Sequence, residues 1–369
     1  MRASVAFAAS ASVTLLLVWG ACGPRDHGVD DDGGSPPTSA KSTTAVSGFE
    51  SDGASICGAE VHQAQSKYPL IYFVIDRSGS MADLDPVSGE TRLTRVRAAA
   101  ADMVESLGSL VRVGAAMYPE SSATDECATG EQVFEPQVGA GSDFADAIDK
   151  EPFGGTPTAA TLEAIAPIVA DFSGPRAVIL ATDGAPNCNP EATCSAAECM
   201  LNVFGDCPAS TNCCQEPNGF PENCIDRAPS ILAVKALADA GTDVYVVGIP
   251  GTELFAGVLN QMATVGGVPQ QNADTSYYKV DDLDALADLF KEIAGGLVSC
   301  TFTLGDAPPT QGMTNVYFDD KVVPQDPQNG WVWVDGDTIE IVGAACQQLK
   351  DGQVQDIQFV SGCPTVVAE

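Results

Sequence analysis

The sequence predicts an α/β protein with a doubly wound, mostly parallel β-sheet, a cysteine-rich insertion and a small C-terminal antiparallel β module. Three observations support this fold class. Apolar runs alternate with helical patterns between residues 67 and 299, seven cysteines are concentrated within 184–228, and short alternating segments separated by turns follow Cys300. Alternation of strands and helices is typical of a parallel sheet with helices on both faces.

The predicted strands of the sheet are continuous apolar runs, as expected for strands that are buried on both faces. They are assigned to 70–75, 111–118, 177–181, 244–249 and 277–280, with an edge strand at 133–138. Helices are predicted where apolar residues recur every three or four positions. They are assigned to 93–107, 156–171, 231–238, 254–265 and 283–297. Pro167 is expected to kink or shorten the second helix, because it lacks an N–H group.

The insertion at 184–228 has little apolar periodicity, so disulfides are expected to supply the rigidity that a hydrophobic core cannot. Its cysteines are Cys188, Cys194, Cys199, Cys207, Cys213, Cys214 and Cys224. A zinc cluster is the alternative, but the spacing contains no pair of C-x-x-C hooks. Disulfides are therefore the favoured interpretation.

The C-terminal module, residues 300–369, alternates short strand patterns with turns. Strands are predicted at 301–304, 315–318, 331–334, 338–342 and 356–360. Asp319-Asp320 and Asp335-Gly336-Asp337 have the composition of hairpin turns. Cys346 and Cys363 are expected to form a bridge within this module.

The first 21 residues have the pattern of an export signal, with a positive start and a long uncharged, apolar stretch before Cys22. The segment resembles the lipobox of bacterial lipoproteins, although Trp19 stands where an aliphatic residue is usual. This resemblance implies acylation of Cys22 and a lipoprotein of the bacterial cell envelope, in the outer membrane or at the cell surface. An uncleaved membrane anchor and cleavage after Ala21 are the alternatives.

The 13 cysteines are consistent with an oxidising compartment. If Cys22 carries a lipid, the even number that remains can all form disulfides. The candidates outside the insertion are Cys57, Cys127, Cys300, Cys346 and Cys363. Residues 22–66 are assigned to the anchor cysteine and a flexible tether, because the stretch is rich in Gly, Ser, Thr, Pro and Asp.

The chain is strongly acidic, with 50 Asp and Glu residues against 17 Lys and Arg residues and a formal net charge of -33. Such a chain repels phosphate backbones and anionic lipid surfaces. Nucleic acid is therefore excluded as a partner, and contact with a membrane is expected only through the N-terminal lipid.

Oxygen-bearing side chains follow two of the predicted strands, at the sheet edge where open parallel sheets bind ligands. Asp76, Ser78 and Ser80 follow the first strand, and Asp183 follows the strand at 177–181. Thr156 lies in a glycine-rich loop that opens a helix. Carboxylate and hydroxyl oxygens suit a hard cation such as Mg²⁺. Helix caps and turns are the alternative explanation for these residue types.

The Asp-x-Ser-x-Ser segment, the later Gly-Thr-Pro loop and the Thr-Asp-Gly segment together resemble the metal-ion-dependent adhesion site of von Willebrand factor A domains. The resemblance covers 67–299 and matches all five ligand positions of the family: Asp76, Ser78, Ser80, Thr156 and Asp183. It implies a Rossmann-like fold with Mg²⁺, Mn²⁺ or Ca²⁺ at the top of the sheet. It also implies an open coordination position that accepts an Asp or Glu side chain of a partner protein.

Two further features adjoin this predicted site. Asp83 matches one position of the adjacent calcium site of integrin β subunits, but Leu84 stands where a second acidic residue is expected. A solvated loop acid is therefore the favoured interpretation of Asp83. The insertion at 184–228 follows Asp183 directly, which makes it the predicted footprint of the partner. A rigid loop without a partner is the alternative.

No catalytic set is apparent in the sequence. His27 and His62 both lie before the predicted sheet, and no G-x-S-x-G, Walker, G-x-G-x-x-G or H-E-x-x-H motif is present. The prediction is an exported, metal-dependent protein-binding lipoprotein and not an enzyme. A structural docking subunit of an envelope assembly, without metal-gated capture, is the main alternative. A role beside an ATPase, as in metal chelatases, is disfavoured by the export signal.

Overall fold

The computed structural model describes residues 60–368 except 63, 66, 67, 123, 140, 209, 216, 218 and 272. The predicted export signal, Cys22, Cys57 and most of the predicted tether lie outside these residues. None of the helices described is both long and apolar enough to span a bilayer.

The secondary structure follows the predicted alternation. The strands are β1 (Glu60–His62), β2 (Ala64–Gln65), β3 (Leu70–Asp76), β4 (Arg112–Tyr118), β5 (Glu131–Val138), β6 (Arg176–Thr182), β7 (Asp243–Gly248), β8 (Tyr278–Lys279), β9 (Thr301–Leu304), β10 (Thr314–Phe318), β11 (Lys321–Val323), β12 (Trp331–Trp333), β13 (Thr338–Ile341) and β14 (Ile357–Ser361). The α-helices are α1 (Arg92–Leu107), α2 (Gly141–Ala147), α3 (Thr158–Ala170), α4 (Met200–Val203), α5 (Arg227–Asp239), α6 (Ala256–Val265), α7 (Leu286–Leu297) and α8 (Gly343–Lys350).

The central sheet has six strands in the order β5-β4-β3-β6-β7-β8. The neighbours from β4 to β8 are parallel, and β5 pairs antiparallel with β4 at one edge. The prediction of a mostly parallel sheet, with an edge strand at 133–138, is therefore confirmed. Pro167 is accommodated inside α3, which ends three residues later at Ala170.

Helices cover both faces of this sheet. Successive side chains of a strand point to opposite faces. Phe73 belongs to a core that α1 and α7 complete, and its ring meets Phe290 of α7 edge-on at a centroid distance of 5.3 Å. Tyr72 belongs to a second core, which α3, α5 and α6 complete. All residues of β3 are buried, which explains why this stretch of sequence is apolar almost throughout.

The C-terminal region forms two four-stranded antiparallel sheets, in the orders β1-β14-β10-β11 and β12-β13-β9-β2. Asp319 and Asp320 connect β10 to β11 as a two-residue turn, and both have positive φ angles, 47° and 66°. This is the backbone geometry of a type I′ hairpin. The predicted hairpin at this position is therefore confirmed.

Three parts of the C-terminal region were not predicted from the sequence. β1 and β2 belong to the predicted tether, 22–66, yet they complete the two sheets by pairing with β14 and β9. Strands of three and two residues are too short to show a hydrophobic period. Helix α8 was also unforeseen. Its buried Leu349 belongs to the same core as Phe290, so the C-terminal sheets share a core with one face of the central sheet.

The predicted bridge between Cys346 and Cys363 is wrong. Cys346, on α8, forms its disulfide with Cys300, and their Cα atoms are 5.7 Å apart. Helix α8 brings Cys346 to the start of β9, whereas Cys363 follows β14 in the other sheet. Cys363 is also disulfide-bonded.

Disulfides hold the insertion together, and all seven of its cysteines are paired. The bridges are Cys127–Cys188, Cys194–Cys224, Cys199–Cys214 and Cys207–Cys213. Cys194, Cys199, Cys214 and Cys224 form a small buried cluster of their own. The zinc alternative is therefore wrong for this segment, because thiolates that ligate a metal cannot also be bonded in disulfides.

Candidate functional site

Two carboxylates lie at the same edge of the central sheet. Asp76 is the last residue of β3, and Asp183 follows the last residue of β6. These strands are parallel neighbours, with Ile75 paired with Ala181. Both carboxylates are buried, at 0% exposure for Asp76 and 2% for Asp183.

The turn after β3 joins these carboxylates through its serines. The backbone N–H of Ser78 donates to Asp76 Oδ1 at 2.7 Å. The hydroxyl oxygens of Ser78 and Ser80 are 3.3 Å apart, and the Ser80 hydroxyl donates to Asp183 Oδ1 at 2.7 Å. Four of the five predicted ligand residues thus form one chain of hydrogen bonds.

Thr156 lies in the loop before α3, and that loop packs against the same turn. The backbone N–H of Gly79 donates to the Gly154 carbonyl at 2.9 Å. Thr156 is buried, and its own backbone exchanges hydrogen bonds with Asn187 in the insertion. The fifth predicted residue therefore lies on a loop that contacts the turn carrying the serines.

Thr182 contacts the site and was not singled out from the sequence. Its hydroxyl donates to Asp76 Oδ2 at 2.6 Å, so both oxygens of that carboxylate accept a hydrogen bond from the protein. Its position in the sequence could have indicated this contact, because the last residue of β6 must lie beside the end of the parallel neighbour β3. Thr182 fixes the orientation of the Asp76 carboxylate.

Arg92 is a second residue that the sequence analysis missed. It is the first residue of α1, and its Nη1 lies 2.7 Å from Asp183 Oδ2 and 3.1 Å from Asp83 Oδ2. The backbone of Gly251, with a φ of 119°, packs closely against the Arg92 guanidinium. A Cβ at this position would lie 3.1 Å from Arg92 Nη1. No motif marks Arg92, which reaches the site only through the fold of the loop at 83–91.

The surroundings of the two carboxylates disfavour their charged forms. Burial raises the pKa of Asp76, and the negative charge of Asp183 raises it further. Burial likewise raises the pKa of Asp183, but the Ser80 hydroxyl and Arg92 oppose this effect. Among the residues that the structure describes, Asp183 has a cationic partner and Asp76 has none. The site therefore carries negative charge that is only partly compensated.

The acidic residues of the loop after Ser80 have local partners. Asp83 is mostly exposed and pairs with Arg92. Asp85 accepts two hydrogen bonds of 2.7 Å from Ser88, which hold its pKa below the ordinary value. Asp85 thus stabilises the turn in which it lies.

His62 lies outside the central sheet. Its Nε2 is 2.7 Å from the Ser361 hydroxyl, in the pair formed by β1 and β14. The described part of the chain therefore brings no histidine to the edge where Asp76 and Asp183 lie.

The side chains at this edge supply several oxygen atoms that can act as ligands. Two carboxylates and two hydroxyls converge there, beside a loop that carries a third hydroxyl. Oxygen donors of this kind suit a hard divalent cation. Ser78 is buried whereas Ser80 is exposed, so the set is open to solvent on one side.

Comparison with solved structures finds partial matches to bacterial pilus proteins. The pilus adhesin SpaC from Lactobacillus rhamnosus GG is 17% identical, with a TM-score of 0.46 over 81% of this chain and 39% of SpaC. The PilB minor pilin from Streptococcus sanguinis is 16% identical, with a TM-score of 0.44 over 63% of this chain and 62% of PilB. The vWF domain of the type V pili tip protein Mfa5 from Porphyromonas gingivalis is 16% identical, with a TM-score of 0.42, over 63% of this chain and 96% of that domain.

This chain spans about two fifths of the length of SpaC. No curated protein sequence matches the chain. The family model of the von Willebrand factor type A domain matches residues 71–292, which is more than half of the chain. The matched range contains β3 except Leu70, β4 to β8 and all five predicted ligand residues. The chain therefore belongs to the von Willebrand factor type A domain family.

Proposed function

We propose that this protein is an exported binding protein whose von Willebrand factor A domain holds a divalent cation and uses it to capture an acidic group of another protein. Asp76, Ser78, Ser80, Thr156 and Asp183 would hold the cation, which is Mg²⁺ or Mn²⁺ by preference, with Ca²⁺ as a third candidate. The bound cation would supply positive charge and an exchangeable coordination position.

The observation that carries this proposal is the hydrogen bond between Ser80 and Asp183 at 2.7 Å. It joins side chains that follow two neighbouring strands, so the oxygens of both segments lie within reach of one ion. The buried carboxylate of Asp76, which has no cationic partner among the described residues, supports the same assignment, because a cation would compensate its charge.

The charge of the whole protein explains why capture of an acidic partner would need a metal. With a net charge of -33, the chain repels acidic surfaces. Three of the five proposed ligands are neutral hydroxyls, which exchange more readily than carboxylates for an anionic ligand, and Ser80 lies on the exposed side of the set. A partner's Asp or Glu side chain could therefore complete the shell. The adjoining insertion, 184–228, would then contact the rest of the partner.

The first test is Mg²⁺ binding measured by calorimetry on the full mature chain. We expect wild-type protein to bind one equivalent and Asp76→Ala to bind none. Asp226→Ala is the matched control, because Asp226 is also buried but lies in the insertion, where it accepts a hydrogen bond from Asn189. Wild-type protein that takes up neither Mg²⁺ nor Mn²⁺ would refute the proposed cation site.

The second test addresses the partner. Envelope extract is passed over immobilised protein with Mg²⁺ or with chelator, and the retained proteins are compared. We expect retention that depends on the metal and disappears in Asp76→Ala. Retention that is equal with and without metal favours the alternative function, a structural docking subunit. The ion pair between Arg92 and Asp183 favours that alternative, since it already gives Asp183 a cation.

Export and anchoring form a separate part of the proposal. The five disulfides with both cysteines among the described residues suit an oxidising compartment. Acylation of Cys22 would attach the chain to the cell envelope. Metabolic labelling with a fatty-acid analogue is expected to mark the wild-type chain and to leave Cys22→Ala unmarked. An unlabelled wild-type chain would favour cleavage after Ala21.

A further inference from the structure

The loop that carries Thr156 is held between two segments that are distant in sequence. On one side, the N–H of Gly155 donates to the Glu126 carbonyl at 2.8 Å. On the other side, the N–H of Thr156 donates to Asn187 Oδ1 at 2.7 Å, and the N–H of Asn187 donates back to the Thr156 carbonyl at 2.9 Å. The position of Thr156 therefore depends on residues that are not themselves proposed ligands.

A disulfide joins these two segments. Cys127 follows Glu126, Cys188 follows Asn187, and the two cysteines are bonded across 61 residues of sequence. Cys188 adopts a φ of 75°, a left-handed conformation that is unfavourable for a residue with a side chain. Glu126, Asn187 and this disulfide together hold the Thr156 loop, and we refer to them as the clamp.

The two glycines before Thr156 are explained by this clamp. A Cβ on Gly155 would lie 2.5 Å from Cys188 Sγ, and a Cβ on Gly154 would lie 2.5 Å from the Glu126 carbonyl oxygen. Gly154 also has a φ of 70°, which disfavours other residues. The glycines of the loop are thus required by the close approach of Glu126 and the disulfide.

We propose that Asn187 and the Cys127–Cys188 disulfide are positioning residues, which hold Thr156 where it can act as a cation ligand. The cysteine-rich insertion thereby determines the affinity of the site as well as adjoining it. This inference rests on the proposed function. A ligand that is fixed before the cation binds loses less conformational entropy on binding, so weakening the clamp weakens cation binding.

The other disulfides of the insertion make no comparable contact. Cys207 and Cys213 are separated by only six positions in sequence, and Cys199–Cys214 belongs to the buried cluster of the insertion. Cys127–Cys188 is the bridge of these four that links the insertion to the segment before β5. This difference provides a matched control within the same segment.

The test compares Asn187→Ala with Asn189→Ala. Asn189 lies two residues further on, is also half-buried and bonds to Asp226 instead of the Thr156 loop. We expect Asn187→Ala to weaken Mg²⁺ binding by about tenfold, as for residues that orient metal ligands, and Asn189→Ala to change it by less than about twofold. Asn187→Asp, which keeps the acceptor oxygen, should bind at least as tightly as the wild type.

The disulfide is tested in the same way. The double variant Cys127→Ser/Cys188→Ser is compared with Cys207→Ser/Cys213→Ser, and far-UV circular dichroism checks that both are folded. We expect weaker Mg²⁺ binding in the first variant only. Equal affinity in Asn187→Ala, both double variants and the wild type overturns this inference and leaves the cation site intact. Equal weakening in the test and control variants also overturns it. Absence of Mg²⁺ binding in the wild type overturns the proposed function as well.

Discussion

The Ser80 hydroxyl donates a hydrogen bond of 2.7 Å to Asp183 Oδ1 across 103 residues of sequence. The contact exists because β3 and β6 are parallel neighbours in register, so the turns that follow them meet at one edge of the sheet. A local motif after β3 and a single acid after β6 thereby become one polar cluster. The remaining contacts of this cluster lead to separate predictions.

Thr182 orients Asp76, and we expect its hydroxyl to matter for cation affinity. Thr182→Val removes the 2.6 Å hydrogen bond to Asp76 Oδ2 and nearly preserves the volume of the side chain. We predict that Mg²⁺ affinity, measured by calorimetry, falls by about tenfold, the usual scale for a group that positions a metal ligand.

The control for Thr182→Val is Thr314→Val. Thr314 is also buried, and its hydroxyl lies 3.1 Å from the Ser361 hydroxyl in a C-terminal sheet, outside the proposed cation site. The loss of the Thr314 hydroxyl should lower the free energy of unfolding by about 1 kcal/mol and leave Mg²⁺ affinity unchanged. Affinity that falls equally in both variants would show that global destabilisation is responsible, and not the orientation of Asp76.

In the proposed site, Arg92 would compete with the bound cation for Asp183. Its guanidinium lies 2.7 Å from Asp183 Oδ2 and adds positive charge beside the proposed ion. We expect Arg92→Gln to raise Mg²⁺ affinity by about three- to tenfold, which corresponds to the ~1 kcal/mol of a partly exposed ion pair. The effect should shrink at high salt.

Arg95→Gln is the matched control for Arg92→Gln. Arg95 lies on the same helix and pairs with Glu90 and Asp284, so its removal changes the net charge equally without touching Asp183. Equal gains in both variants would point to long-range charge alone. A loss of affinity in Arg92→Gln would instead mean that Arg92 holds Asp183 in place.

The sequence was sufficient to predict the central sheet and the edge at which Asp76 and Asp183 lie, for a physical reason. Strands buried on both faces must be apolar throughout, as β3 is, and the ends of parallel strands must share an edge. These two constraints bring Asp76 and Asp183 together from their positions in the sequence alone.

The contacts that surround the ligands could not be predicted in this way. Arg92 and Asn187 reach the site through irregular loops, whose conformation has no periodic signal in the sequence. The partner of Cys346 was also mistaken, because it depends on helix α8, whose mixed composition did not indicate a helix. At these positions long-range packing decides the local structure, and the local sequence carries no signal for it.

The buried Asp76 gives the metal-free protein a distinctive pH dependence. Burial and the charge of Asp183 raise the pKa of Asp76 to about 7 from its ordinary value of 3.8. Since the folded state holds this proton more tightly than the unfolded state, the group favours folding at low pH, and this contribution is lost as pH rises through the raised pKa. The slope is at most about 1.4 kcal/mol per pH unit.

Denaturant unfolding in the presence of chelator tests this pH dependence. Between pH 5 and pH 8, we expect the free energy of unfolding of the wild type to decline more steeply than that of Asp76→Asn, which cannot ionise. Added Mg²⁺ should stabilise the wild type most at the high end of this range, because the cation binds the deprotonated carboxylate. Parallel curves for the two proteins without metal would contradict the assigned shift.

The core shared by the central sheet and the C-terminal sheets predicts that they unfold together. Leu349 of α8 is fully buried, in the same core as Leu107 of α1 and Phe290 of α7. Leu349→Ala should therefore lower the free energy of unfolding by about 2–5 kcal/mol, the range for a buried leucine. It should destabilise α1 and α7 as well as the C-terminal strands.

Leu254→Ala is the control, because that side chain is 66% exposed and its truncation should change the free energy of unfolding by less than about 0.5 kcal/mol. Hydrogen exchange followed by mass spectrometry would distinguish the outcomes. Faster exchange in Leu349→Ala that is confined to residues after Cys300 would mean that the C-terminal sheets form an independent folding unit.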